Sequence, residues 1–245
     1  MNDNKKWTKI IKGSIAFTIT ALVLFFVGMV ILKYNVEGEQ NMPFTLSNVL
    51  VVSSAEGYQE DETNDNWNVK VLQTNDIYLD IKKNKNYKNK EIINSIEISN
   101  IKISKPVLGN IQLYRPSISQ KDYEYKEEYM INDKIEFNGD IKTDVKNLKI
   151  SNQGGRLLLR VINNTGKQYL SNENEIKHDG TLLNKVGIKN EDLKFTISFD
   201  IKILLESGVT FNGNLKIDLP KGNIINQGTA SSYETDLKNV VFKRE

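Results

Sequence analysis

The chain's one histidine, His178, lies in the polar run SNENEIKHDG, directly before Asp179. A histidine beside a carboxylate is the raw material of a general base or a metal ligand pair. Adjacent residues on an extended chain point to opposite faces, however, and no carboxylate–histidine spacing near it matches a metal motif. We read His178 as part of a solvated loop. No cysteine is present, which excludes a thiol nucleophile, a disulfide framework, a zinc ribbon, an iron–sulfur cluster and a lipidated cysteine. Ser99-Asn100-Ile101-Lys102 has the S-x-x-K spacing of the penicillin-binding nucleophile, which needs serine and lysine on one helical face. Here it falls in an alternating, isoleucine-rich run, and neither the S-D-N nor the K-T-G partner accompanies it. Leu219-Pro220-Lys221-Gly222 lacks the threonine of a sortase sorting signal. Gly154-Gly155 lacks the lysine and the helix of a phosphate loop.

Carboxylates offer more. Glu60, Asp61, Glu62, Thr63, Asn64 and Asp65 supply oxygens at alternate positions, as calcium loops do, without the glycine and terminal glutamate of an EF-hand. A solvated charge run is the preferred reading and a weak calcium site near Glu60–Asp65 the open alternative. Glu124, Glu127 and Glu128 form a second acidic group. A glycosidase pair would draw its two carboxylates from separate strands, so spacing along the chain does not reveal one. Tyr123, Tyr125 and Tyr129 suit either a sugar-stacking platform or ordinary half-buried strand tyrosines, and we take the second. The sequence therefore assigns no catalytic, cofactor-binding or metal-ligating residue, and implies no cofactor.

What would position any such group is clearer. Residues 13–32, GSIAFTITALVLFFVGMVIL, carry no charge. Twenty residues at 1.5 Å each span about 30 Å, the hydrocarbon thickness of a bilayer. Lys5, Lys6, Lys9 and Lys12 precede the run, and after Lys33 the next basic residue is Lys70. That asymmetry predicts residues 1–12 in the cytoplasm, a membrane helix over 13–32, a stalk over 33–43 and an extracytoplasmic domain over 44–245. The apolar run is longer than a signal-peptide core and no small-residue cleavage site follows, so an uncleaved signal-anchor is expected. Trp7 and Tyr34 fall near the two interfaces.

Beyond residue 43 the apolar period is two. Strands are expected over 45–52, 68–73, 77–81, 96–103, 109–114, 134–137, 148–150, 156–162, 195–204, 209–219 and 240–242, with a β-bulge at Ser99-Asn100 where the isoleucine spacing skips. Short helical turns are expected over 91–94 and 180–186, the latter capped by Thr181. Asn138-Gly139, residues 163–166, Asp179-Gly180 and Asn212-Gly213 read as turns, the last as a hairpin turn. The fold class is an all-β antiparallel sandwich of about ten strands behind a single N-terminal transmembrane helix. GNIQLYRP (109–116) and GNLKIDLP (213–220) align without gaps, which keeps two smaller domains divided near residue 130 as an alternative.

The 33 basic and 31 acidic side chains give a net charge of +2. Four lysines and one aspartate put +3 of this in residues 1–12, and leave the 213 residues after the span at −1. No nucleic-acid partner is implied. Thirty Asn and 29 Lys against four Arg and four Ala reflect AT-rich codons. The layout resembles the short-tailed, membrane-anchored envelope proteins of low-GC Gram-positive bacteria, a likeness that carries no functional residues. The partners expected are the lipid bilayer, through residues 13–32, and an envelope protein or glycan. A non-enzymatic binding or scaffolding module of the cell envelope is the first reading. A carboxylate-dependent extracytoplasmic glycan hydrolase and an accessory subunit of a membrane complex are the alternatives.

Overall fold

The computed structural model describes residues 3–63, 66–117, 128–129, 134–140, 148–171, 182–237 and 240–245. His178, Asp179-Gly180, Thr181, Tyr123, Tyr125, Glu124, Glu127, Asn64 and Asp65 lie outside the described residues, as does the proposed division near 130. The side chains of Glu60, Asp61, Glu62, Glu128 and Tyr129 lie outside them too.

The first of two compact units, Met1–Gln40, is built on helix α1 (Asp3–Glu37). Its stretch Ile11–Glu37 is long and apolar enough to cross a membrane, and none of it is buried against protein. The Thr18 and Thr20 hydroxyls donate to the Ser14 and Ala16 carbonyls one turn back, at 3.0 Å each. This leaves neither hydroxyl unpaired on an apolar surface. Helix continues through the first half of the 33–43 stretch, braced by a Lys33–Glu37 pair at 3.8 Å. It stops at Gly38, whose φ of 70° lets its N–H return to the Tyr34 carbonyl at 2.8 Å.

The second unit, Asn41–Glu245, is a β-sandwich. Its strands are β1 (Phe44–Thr63), β2 (Asn66–Lys83), β3 (Ile93–Ile103), β4 (Asn110–Tyr114), β5 (Glu128–Tyr129), β6 (Ile135–Gly139), β7 (Leu148–Ile150), β8 (Gly154–Ser171), β9 (Phe195–Leu205), β10 (Thr210–Leu219), β11 (Thr229–Glu234) and β12 (Phe242–Arg244). The first sheet runs β11-β1-β2-β8-β4-β5 and the second β12-β10-β9-β3-β6-β7. All pairs are antiparallel except β6 with β7. Alternation is cleanest in β9, where Phe195, Ile197, Phe199, Ile201, Ile203 and Leu205 are buried and the residues between them are not. One hydrophobic cluster joins the sheets, with Phe44, Ile77, Leu79, Leu157 and Leu159 from the first facing Ile96, Phe199, Ile201 and Ile217 from the second.

The bulge at Ser99-Asn100 is present: register shifts between Ser99 and Lys102, and Asn100 takes a φ of 52°. Several expected turns are instead strand. Asn212-Gly213 sits inside β10, and a Cβ at 213 would lie 2.9 Å from the Phe242 ring. That glycine makes room for an aromatic side chain on β12 rather than for a reversal. The reversal itself falls at Glu206–Gly208. Asn163-Asn164-Thr165-Gly166 continues β8 through a register shift opposite Lys70 and Leu72, where Gly166 (φ 65°) takes the irregular position. At Asn138-Gly139 the strand β6 persists in its pairing with Lys149 and Ile150 of β7, a Cβ at 139 would meet the Ile93 carbonyl, and the turn begins at Asp140. Residues 91–92 are coil and 93–94 open β3, so no helical turn forms there. Expected strands 68–73 and 77–81 are one strand, β2, and the 45–52 strand extends to Thr63. The 109–116 and 213–220 segments share no common setting: β4 follows a Gly109 at φ 105° in the first sheet, whereas Gly213 is interior to β10 in the second.

Helices α2 (Leu182–Lys185) and α3 (Ile224–Gln227), with a 3-10 turn over Asn190–Leu193, close one end of the sandwich. Leu183, Val186, Ile188, Leu193, Ile224 and Ile225 pack there on Ala55 and Val71. The opposite end is where the chain enters, at Met42 and Phe44.

Candidate functional site

The outer faces of the two sheets differ in kind. Along β9 and β10 the outer face of the second sheet carries Thr196, Ser198, Asp200, Lys202, Lys216 and Asp218. These bond among themselves and to neighbouring strands: Thr196 Oγ1 donates to Asp218 at 2.7 Å, and Asp200 accepts from the Asn100 and Asn214 amides at 2.7 Å each. Leu50, Val52, Leu72, Tyr78, Leu158 and Ile162 stand instead on the outer face of the first sheet. Most are half-buried, and Leu158 is only 5 % exposed.

Two ion pairs frame this apolar strip. β2 and β8 are antiparallel, with Asp76 opposite Arg160 and Asp80 opposite Arg156. Each pair is bidentate, at 2.6 and 2.7 Å for Asp76 and at 2.6 and 2.8 Å for Asp80. Fork-to-fork geometry orients both partners, although partial exposure limits each pair to about 1 kcal/mol. The hydrogen bond from Arg156 holds the Asp80 carboxyl below the usual carboxylate range, against the opposing effect of its burial, and Asp80 in turn raises the Arg156 guanidinium. Arg156 also lies over the Tyr78 ring, 5.6 Å from its centre. At the β11 edge, the Asn48 amide donates to the Tyr233 hydroxyl at 2.7 Å. Aromatic rings and arginine forks beside aliphatic side chains are the chemistry of protein contacts and of sugar stacking.

Beneath the same sheet, toward the helix-capped end, the interior turns polar. Gln73, Asn75 and Asn163 are fully buried. Asn163 donates to Gln73 Oε1 at 3.1 Å and to the Leu108 carbonyl at 3.0 Å, and Thr165 donates to the Val71 carbonyl at 3.0 Å. These bonds fix the approach to β4. Beside that end is an open groove of about 370 Å³ lined by Ala55, Glu56, Gly57, Leu182, Leu183 and Ile225, with Asn226 and Gln227 at its rim. Among the described residues that line it, Glu56 is the one carboxylate, amid aliphatic and amide groups.

Asp76 and Asp80 are four residues apart on one strand, about 13 Å at strand rise, beyond the spacing of a glycosidase pair. Each is neutralised by an arginine. Among the described residues no group of three His, Cys, Asp or Glu side chains could hold a metal ion. Ser99 and Lys102 of the S-x-x-K string lie on either side of the β3 bulge. Gly154-Gly155 opens β8, and Lys221 bonds Glu234 at 3.0 Å. The arginine–aspartate frame was not anticipated, although D-x-x-x-D at 76–80 and R-x-x-x-R at 156–160 signal it by matched spacing. No family model matches the chain, and neither a curated protein nor a solved structure shows significant similarity to it.

Proposed function

We propose that the chain is a single-pass, membrane-anchored binding or scaffolding module of a bacterial cell envelope. Residues 13–32 cross the bilayer as a signal-anchor, residues 1–12 stay in the cytoplasm, and the sandwich stands outside. The observation that carries this reading is the pairing of an apolar helix, unburied over Ile11–Glu37, with a domain whose core begins, among the described residues, at Met42. An apolar helix with nothing packed on it gains its stability in lipid, and a self-contained domain behind it is free to meet other molecules. The four lysines before the span supply the orientation.

The outer face of the first sheet is the contact surface in this reading, and its partner is an envelope protein or glycan. The test uses residues 41–245 immobilised as bait for solubilised envelope. Capture that is lost with Tyr78→Ala and Leu50→Asp, yet kept with Ser198→Asp and Lys216→Glu on the other sheet, supports the assignment. Equal capture by both sets of variants contradicts it.

A further inference from the structure

Five lysines crowd the point where the chain enters the sandwich. Strand β1 runs out from that point and β2 runs back, with Lys83 opposite Phe44 and Lys82 opposite Thr45. Residues 84–92 then cross to β3. Lys82, Lys83, Lys85, Lys88 and Lys90 are all exposed, while Glu91 is the one acid in residues 81–92. Glu206, whose N–H bonds the Ile92 carbonyl at 3.1 Å, adjoins on the second sheet. The net charge of the domain is near zero, so this is a local patch that the total conceals.

The loop is pinned to the entry point rather than merely near it. The Asn84 N–H donates to the Pro43 carbonyl at 2.8 Å, and its amide donates to the Met42 carbonyl at 2.9 Å. Asn84 also orders the loop beyond it: its Oδ1 accepts from the Asn86 N–H at 3.0 Å and its carbonyl from the Tyr87 N–H at 3.2 Å. On the other side, Lys83 Nζ reaches Gln153 Oε1 at 3.1 Å and the Ile93 N–H reaches the Asn152 carbonyl at 3.0 Å. Between the end of α1 at Glu37 and the start of the domain at Asn41 lie only residues 38–40. A tether that short spans at most about 14 Å fully extended.

We propose that the 82–90 lysine loop binds the anionic phospholipid headgroups of the membrane that α1 crosses, giving the domain a second, electrostatic attachment beside its anchor. The inference rests on α1 spanning a membrane, and it holds for either leaflet. The occupant follows from charge complementarity and from the tether, which keeps the loop within reach of headgroups at a high effective concentration. Each lysine near an anionic surface strengthens association about fivefold. Five together reach on the order of a thousandfold before Glu91 and Glu206 subtract their share, and the effect falls away as salt shortens the roughly 8 Å screening length.

The absence of cysteine makes the test clean. Asn86→Cys, and separately Asn226→Cys at the helix-capped end, each carry a single fluorophore on the full chain. The chain is reconstituted in phosphatidylcholine vesicles, and in vesicles with about one-third phosphatidylglycerol, each containing a headgroup-quencher lipid. The contact predicts that quenching at position 86 rises at least twofold with anionic lipid, and that 0.5 M NaCl reverses the rise. Replacing all five lysines by glutamine abolishes it with no change in the unfolding midpoint, while position 226 stays unresponsive. A chain retained by the vesicles after carbonate washing, but with a position-86 signal indifferent to lipid charge and salt, overturns the contact alone. A chain that carbonate strips from both kinds of vesicle overturns the span and the contact with it. The salt titration with all five lysines in place reads the same contact without relying on the glutamine variant.

Discussion

Gly213→Ala probes the sandwich at a position where a turn dipeptide occupies a strand. Gly213 pairs with Ile201 on β9 and with Phe242 on β12. A Cβ there meets ring atoms of Phe242 at 2.9, 2.9 and 3.0 Å, too close for the ring to stay. Phe242 is 7 % exposed, and β12 is held by three residue pairs, so the ring yields rather than the interior strands. Complete loss of its packing would cost about 3–5 kcal/mol, the range for truncating a buried phenylalanine. Alanine recovers about 0.5–1 kcal/mol of glycine's backbone entropy within a strand. With partial accommodation at this terminal strand, we expect a net loss of about 1–3 kcal/mol. In a Phe242→Ala background the space is open, and Gly213→Ala should be neutral or slightly stabilising. The double-mutant cycle, read by urea unfolding of residues 41–245, should thus show a coupling of about 2 kcal/mol. Were Asn212-Gly213 a hairpin turn, glycine would be needed for its positive φ and alanine would cost the same with or without the ring. Additivity within about 0.5 kcal/mol would refute the packing argument.

Asp80 has its carboxyl pKa lowered by Arg156. Its contribution to stability is therefore fully present above the unfolded-state value, about 3.9, and is lost as pH falls through the lower folded value. Asp80→Asn should flatten the acid limb of a stability–pH profile below about pH 4; an unchanged limb speaks against the pairing. Asn163→Ala leaves Gln73 Oε1 and the Leu108 carbonyl without their buried donor and should cost about 1–3 kcal/mol for each group stranded; a thermal midpoint equal to that of the unsubstituted domain contradicts this network. Leu24→Arg places a charge at the middle of the apolar helix and should raise its insertion free energy by about 3 kcal/mol. Membrane fractionation reads the effect, and unaltered retention argues against a span.

Much of the sandwich was legible because burial on one face imposes a period of two on the chain. Ile96, Ile98 and Ile101 reveal even the bulge, since their spacing breaks where Asn100 takes its positive φ. The threonines of α1 likewise show in the sequence how they are satisfied. Turn dipeptides misled because glycine serves two purposes. Gly213 and Gly139 are glycine for space, against a ring and a backbone carbonyl, and only tertiary neighbours reveal that. β11, reading TASSYE, buries none of its residues at its sheet edge and carries no run of alternating apolar side chains, so it leaves no periodic trace. The arginine–aspartate frame on the outer face of the first sheet and the lysine loop were hidden for a common reason. Both arise from pairing across long separations, Asp80 with Arg156 and Pro43 with Asn84. The latter contact exists because a 20-residue strand and an 18-residue strand bring the chain back to its point of entry.

We propose that the domain is anchored on the far side of a membrane from residues 1–12. Two reporters fused in turn after Glu245 of the full chain test it directly, one active only when exported and one only in the cytoplasm. Anchoring in that orientation predicts activity from the exported reporter alone, in a membrane fraction that resists carbonate. Activity from the cytoplasmic reporter, or release of the fusion by carbonate, would contradict it.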